Sequence, residues 1–328
     1  MNAMEKNPSE LDVVVVGGGV AGLSGALTLV RSRRSVVVVD SGEPRNAPAA
    51  AAHGLLSRDG IPPLELLKAG REEVAGYGGR IVSDRAVAAR PVDGGFVVET
   101  EGGSSFTARR LLVTTGLADE LPAIDGLRER WGRDVLHCPY CHGWEVRDLP
   151  IGVLATGPAS MHQALLFRQL SPRVTYFPHT GPGPDAEQSE RLAALGIAVA
   201  EGEVAGLDVE DDRLAAVRLS SGVRVPVSAL AVAPRFVARG GVLSGLGLTV
   251  VEHPMGVGMY VESDDSGLTG VPGVWVAGNV TDLMAGVPAA AAAGVRAAAA
   301  MNADLVAADA DAAVAAYRKS AAGVADAR

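Results

Sequence analysis

Residues 11–40 read LDVVVVGGGVAGLSGALTLVRSRRSVVVVD, and the order of residue types in this stretch decides the fold. The run from Asp12 to Val16 is almost continuously β-branched, as a strand buried on both faces of a parallel sheet requires. A glycine cluster follows, then a helical pattern through Val30, then a second β-branched run at 36–39. Together they predict a β-α-β unit. Gly17-Gly18-Gly19-Val20-Ala21-Gly22 fits the spacing G-x-G-x-x-G. Gly17 permits the tight turn, Gly19 lets the backbone approach a pyrophosphate, and Gly22 lets helix pack closely on strand. The helix N-terminus offers free N–H groups and a partial positive charge to the phosphates. Asp40 closes the second strand, where a carboxylate bonds a ribose hydroxyl. This motif alone does not choose between FAD and NAD.

The other end of the chain makes that choice. Val274-Trp275-Val276-Ala277-Gly278-Asn279-Val280-Thr281-Asp282 resembles the second FAD fingerprint of flavoproteins with two dinucleotide domains. Gly278, Asn279 and Asp282 are its candidate cofactor residues, with Asn279 standing where the fingerprint usually has Asp. Asn can still bond a ribityl hydroxyl, without charge. Pro288 is expected at the first position of the following helix, whose N-terminus would stabilise negative charge on the reduced flavin.

Between the two fingerprints lies His137-Cys138-Pro139-Tyr140-Cys141-His142-Gly143-Trp144-Glu145. Cys138 and Cys141 are the only cysteines. The C-x-x-C spacing lets two sulfurs close a small disulfide ring and lowers one thiol pKa. A structural zinc site would need four ligands, and there is no second cysteine pair and no compensating histidine cluster. No metal site is expected. C-x-x-C-H is also the attachment signature of c-type haem, but that reading needs export and a small haem-wrapping domain. Redox use of the pair is the expectation.

With these motifs assembled, the chain resembles the low-molecular-weight thioredoxin reductase family over essentially its whole length. The CPYCHGWE wording is more similar to a branch that includes the dithiol oxidases of gliotoxin- and holomycin-type biosynthesis. The resemblance implies an α/β fold with two Rossmann-like domains. The FAD domain is expected at 1–121 and 253–328, and a nucleotide-binding-like domain carrying the cysteines at 122–252. It implies FAD as cofactor, a small-molecule dithiol as substrate, O2 as acceptor giving H2O2, and a homodimer. It assigns substrate exchange to Cys138 and electron transfer to the flavin to Cys141. His142, where thioredoxin reductases carry an acid, is the candidate base. Thr114-Thr115-Gly116 resembles the A-T-G turn near FAD, with Thr115 and Gly116 as the candidate cofactor residues. In relatives the loop after Asp40 runs along the flavin, which makes Arg45 and Asn46 candidate cofactor residues. His53-Gly54 and Arg58-Asp59-Gly60 are held as loop candidates for ring or substrate.

A thioredoxin reductase would also bind NADPH in its second module. Here that module reads Leu154-Ala155-Thr156-Gly157-Pro158-Ala159-Ser160. Ala155 puts a Cβ in the tight turn, and Pro158 removes a phosphate-binding N–H. Phe177–Pro184 contains no arginine for a 2′-phosphate. The nucleotide site is therefore expected to be degenerate. Three alternatives stay open at this point: an NADPH-dependent thioredoxin or small-disulfide reductase, a ferredoxin-linked disulfide reductase, and a flavin-bound redox sensor.

Bulk properties set the outer limits. The 328 residues favour two domains. A net charge of −9 argues against nucleic acid and against an anionic membrane surface. The polar N-terminus lacks an apolar h-region. The Ala-rich stretch from Met284 to Met301 contains Pro288 and Arg296, and is expected to be a buried helix rather than a membrane span. A cytoplasmic protein is the resulting expectation.

Overall fold

The computed structural model describes residues 11–325; the polar segment before Leu11 lies outside the described residues. Its first strand, β1 (Leu11–Val16), leads into α1 (Val20–Arg31) and β2 (Val36–Asp40). Helix α2 (Pro63–Gly76) follows, then β3 (Arg80–Ser83), β4 (Ala86–Val92), β5 (Gly95–Thr100) and β6 (Ser105–Val113). The sheet order is β3-β2-β1-β6-β5-β4. Val13–Val16 pair in parallel with Val36–Val39, and Val13–Val16 also pair with Arg110–Val113. β6 divides its free edge by length: its first half pairs antiparallel with β5, and its second half takes the late strand Val274–Val276 in parallel. Residues 80–100 hold three strands. β3 extends the parallel sheet beside β2, and only β4 and β5 form the hairpin, turning at Asp93-Gly94 with Gly94 at φ +77°.

Period-two alternation explains why these valines are there. Val13 and Val15 pack with Leu23, Ala26 and Leu29 of α1, and with Ala297, Ala298 and Met301 of the C-terminal helix Val287–Ala325. Val14 and Val16 face the opposite side, with Val98, Leu111, Leu243 and Val276. Each such fully buried valine contributes roughly 1.5–3 kcal/mol relative to exposure, so two short strands supply a large part of this unit's core.

The chain forms two compact units. The first comprises residues up to Pro44, Leu64–Ala118 and Val237 onward; the second comprises Arg45–Pro63 and Asp119–Phe236. Beyond a shift of the first boundary at 119–121, this differs from the expected boundaries in two places. Residues 237–252 belong to the first unit because the 3-10 turn Gly241–Leu246 buries Val242, Leu243 and Leu246 in its core. The loop 45–63 belongs to the second unit because Arg45 pairs with Asp119, His53 with Glu145, and Pro48 covers Gly132.

The second unit has its own parallel sheet. Strand Ile151–Leu154 lies between Val174–Phe177 and Ala229–Val232. Helix Ala159–Leu170 packs Phe167 and Ala164 on Ile151 and Val153. A three-stranded antiparallel sheet, Val204–Glu210 with Arg213–Leu219 and Arg224–Pro226, covers Leu154, Phe177 and Leu230 from the other face. Among the described residues no helix is long and apolar enough to cross a membrane.

Candidate active site

The first glycine loop is closed by atoms, not only by spacing. Gly17 sits at φ +104°, and a Cβ there would lie 2.5 Å from the Thr114 carbonyl oxygen. A Cβ on Gly18 would lie 2.6 Å from the Asp40 carboxylate, and one on Gly22 would overlap the Gly17 carbonyl. Gly19 differs: nothing lies within 4 Å of its missing side chain. That open side is what the close approach of a pyrophosphate needs. Gly19 caps α1 with no side-chain hydrogen bond, leaving the helix N-terminus available to an anion. The Asp40 Oδ1 accepts from the Gly18 N–H at 3.1 Å, and its Oδ2 lies 3.4 Å from Arg71. Asp40 therefore braces the loop from the end of β2. Thr114, passed over in favour of Thr115, makes the tighter connection: its hydroxyl donates to the Val16 and Gly17 carbonyls at 3.1 and 2.9 Å. Its place directly after β6 was the available signal. Thr115 instead donates to the Arg239 carbonyl at 2.7 Å, beside Gly116 at φ +69°.

The second fingerprint forms a turn against the same helix. Gly278 has φ +75°, and a Cβ on it would meet Ala21 of α1 at 2.8 Å. The Asn279 amide donates to the Asp282 and Ala285 carbonyls, both at 3.0 Å. A carboxylate cannot donate either bond, which gives Asn a physical reason at this position. Asp282 accepts from the Met284 N–H at 3.1 Å. Pro288 is the second residue of the C-terminal helix, one position later than expected and equally free of any need for an N–H. These residues fit FAD: the loop has the shape a phosphate needs, and the terminal turn is fixed to the helix that points at it.

The redox pair lies in the second unit. Cys138 caps the one-turn helix Pro139–His142, and its carbonyl accepts from the Cys141 and His142 N–H groups at 3.2 and 3.1 Å. Both cysteines are free thiols, Cys138 half-buried and Cys141 exposed. Their proton is shared unequally. The Cys141 side chain donates to Cys138, and the Cys141 and Tyr140 N–H groups and the Arg45 charge add to this. Against the effect of burial, the Cys138 pKa falls to about 6. The same hydrogen bond, with burial, pushes Cys141 far up. At neutral pH the reduced pair is a Cys138 thiolate held by a Cys141 thiol.

Arg45, expected at the cofactor, belongs with Asn46 to the unit of the redox pair. Asp119 grips its guanidinium at 2.9 and 2.7 Å, and it stacks 5.1 Å over Phe236. Phe236 in turn meets the His137 ring edge-on at 5.3 Å. Burial first, then the Arg45 charge, lower the His137 pKa to about 4. Gln163, buried on helix Ala159–Leu170, donates to the His137 carbonyl at 2.7 Å and so fixes the residue before Cys138. Asp119, Phe236 and Gln163 carried no sequence signal, because only folding brings them to the motif. Burial also lowers the His142 pKa, opposed by Glu145 and aided by His53. His142 is then a neutral imidazole at neutral pH and can accept a proton.

The second glycine loop keeps part of the first loop's plan, in which the Gly17 and Gly18 N–H groups likewise go to the Val39 carbonyl and the Asp40 carboxylate. The Ala155 N–H is spent on the Phe177 carbonyl at 2.9 Å, and the Thr156 N–H on the buried Ser160 hydroxyl at 3.0 Å. Pro158, without an N–H, stands at the helix N-cap. A Cβ on Gly157 would meet nothing within 4 Å. After the next strand, His179 takes φ +56° and accepts the Val204 N–H at 3.0 Å, closing the loop where a 2′-phosphate site would present cations.

Comparison with known proteins agrees with this geometry. The sequence profile described as Pyridine nucleotide-disulphide oxidoreductase matches residues 11–298. The crystal structure of HlmI is 46% identical, covers 96% of this chain and 98% of its own, and superposes with a TM-score of 0.88. An oxidoreductase from Agrobacterium tumefaciens is 36% identical over 90% of this chain and 99% of its own, with a TM-score of 0.85. The thioredoxin reductase tcpT of Claviceps purpurea (strain 20.1) is 34% identical over 58% of this chain, which spans 61% of that relative's length. The chain belongs to the pyridine nucleotide-disulphide oxidoreductase family, with the thioredoxin reductase-like fold and FAD as its cofactor.

Proposed function

We propose that the protein oxidises a small-molecule dithiol to a disulfide at Cys138 and Cys141, with dioxygen as the final acceptor. The observation that carries this reading is the second glycine loop. Pro158 stands at its helix N-cap and supplies no N–H, and after the next strand His179, spent on the Val204 N–H, stands where a 2′-phosphate site would present an arginine. Electrons then enter at the thiols, not at a nicotinamide. The likeness to HlmI over nearly the full length of both chains, and of CPYCHGWE to the dithiol-oxidase branch, supports the same direction.

A substrate thiolate attacks the Cys138 sulfur of the oxidised pair. The Cys138–Cys141 bond breaks and Cys141 leaves as a thiolate. The second substrate thiolate then attacks the substrate sulfur of the mixed disulfide, closing the product disulfide and releasing the Cys138 thiolate. A leaving thiol of pKa about 6 departs readily. Two protons come off the substrate. One ends on Cys141, whose thiol then donates to Cys138; the other goes to His142, neutral at working pH and next to Cys141 in the chain. Arg45 steadies the charge left on Cys138, and Gln163 holds the backbone leading into it. FAD, when bound, supplies the two-electron transfer from the dithiol to dioxygen, giving hydrogen peroxide.

Oxygen uptake tests this reading. With dithiothreitol as the dithiol, the holoprotein is expected to consume one dioxygen and release one peroxide per disulfide formed. Cys138→Ser and Cys141→Ser should each abolish uptake while keeping FAD bound. Peroxide without disulfide, or turnover that survives either substitution, would overturn it.

A further inference from the structure

His53 lies on the loop that the second unit takes from the first half of the chain, and both of its ring nitrogens meet carboxylates. Its Nδ1 is 3.2 Å from Asp59 Oδ2, and its Nε2 is 3.2 Å from Glu145 Oε1. The far oxygen of Asp59 accepts the Gly54 N–H at 2.8 Å, which fixes the acid relative to the loop. A neutral imidazole can donate to one of these carboxylates only; the doubly protonated ring satisfies both. The bridge therefore ties the loop to Glu145, four residues beyond Cys141 and three beyond His142. The one-turn helix Pro139–His142 ends at His142 and the chain turns on to Glu145, whose charge acts on His142 while its carboxylate meets His53. Glu145 thus has two histidines to choose from.

We propose that His53 is a positioning residue of the dithiol centre: by bridging Asp59 and Glu145 it takes up the Glu145 carboxylate, which would otherwise pair with His142, and so leaves His142 able to accept the substrate's proton. This rests on the reading of His142 as the base. The charged and titratable groups around His142 are Cys138, Cys141 and Glu145 on its own segment and His53, with its partner Asp59, on the loop. Glu145 favours the protonated form of His142, while His53 and burial oppose it. Without His53, the carboxylate acts on His142 alone. The imidazole then keeps its proton to higher pH, so activity retreats toward higher pH. The Asp59–His53–Glu145 network is partly exposed, with 66% and 41% of the two acid side chains open to solvent. Its direct contribution to stability is therefore small, and its effect is expected in proton transfer.

The test combines kinetics with histidine titration. Anaerobic flavin reduction by dithiothreitol is followed across pH in the wild-type holoprotein, His53→Ala, Glu145→Gln and the double variant. In the same four proteins the His142 imidazole is titrated by NMR, assigned by its loss in His142→Ala. His53→Ala is expected to slow reduction about tenfold near neutral pH, a fraction of what a positioned base supplies. It should also move the rising limb of the profile to higher pH and raise the His142 titration. Adding Glu145→Gln should restore most of the rate and lower the titration again. A purely structural clamp predicts the opposite, because removing both sides of the bridge would do at least as much harm as removing one. Loss of rate in His53→Ala that Glu145→Gln fails to rescue, or an unmoved His142 titration, overturns the proposal. If His142→Ala itself reduces at the wild-type rate, the base assignment has failed, and the titrations alone still decide whether His53 shields His142 from Glu145.

Discussion

The two cysteines have the same side chain and opposite chemistry, and the difference comes from a few hydrogen bonds. Cys138 receives the Cys141 thiol, two N–H groups and the field of Arg45, and its pKa falls to about 6. Iodoacetamide alkylation of the reduced protein should therefore reach half its maximal rate near pH 6 at Cys138, the thiolate being the reactive form. Cys141→Ala removes the thiol that donates to Cys138, so the midpoint should move up by about one unit or more; an unmoved midpoint would mean that Cys141 does not hold the proton. His142 is held neutral chiefly by burial. Stopped-flow reduction by a dithiol should slow in His142→Ala by about 10²-fold near neutral pH, the lower end of what a positioned base supplies. The loss should shrink as pH rises and the substrate ionises unaided. A pH-independent loss would assign His142 a packing role instead.

At the scale of elements, the flavin-binding half depends on backbone-to-backbone approach. A Cβ on Gly22 would overlap the Gly17 carbonyl, and one on Gly294 of the C-terminal helix would overlap the Ala21 carbonyl of α1. Neither neighbour is a flexible side chain that could move aside. Gly22→Val should yield protein that fails to retain FAD, measured as the ratio of visible flavin to protein absorbance. Retention at the wild-type ratio would show that the loop has more slack than its geometry gives it. Asn279→Asp restores the residue that the fingerprint usually carries, yet here it replaces two donated bonds with acceptors facing the Asp282 and Ala285 carbonyls. It should destabilise the holoprotein by about 1–3 kcal/mol in denaturant unfolding, whereas a neutral or stabilising effect would mean that this turn does not need the amide. These elements were legible in sequence to different degrees, for physical reasons. β1, β2 and the strand Ile151–Leu154 announce themselves because strands buried on both faces must be apolar at every position. β3 is harder to read, because Arg80–Ser83 is short and half-exposed, with no alternation to separate it from β4. The 45–63 loop is expected within the first unit, because a sequence motif carries no information about which folded unit a loop packs on. Its partners, Asp119, Gly132 and Glu145, are distant in the chain.

The whole molecule repeats one nucleotide-binding plan twice with unlike results. Both copies keep an open glycine, Gly19 and Gly157, ahead of a helix without a side-chain cap. In the second, Pro158 removes an N–H at the helix entrance, and Ser160 and Ala233 hold Thr156 by its N–H and its hydroxyl. The core of the second unit is nevertheless complete, with Ile151, Val153, Leu154, Phe167 and Phe177 fully buried, so the fold outlasts the site. The central claim is that electrons enter through Cys138 and Cys141 and not through a nicotinamide. The most direct test is anaerobic stopped-flow mixing of the oxidised holoprotein with NADPH, with NADH and with dithiothreitol, following the visible flavin band. Rapid bleaching by the dithiol, lost in Cys138→Ser and Cys141→Ser, and negligible bleaching by either nucleotide are expected. Reduction by NADPH or NADH at a catalytically useful rate would contradict that claim.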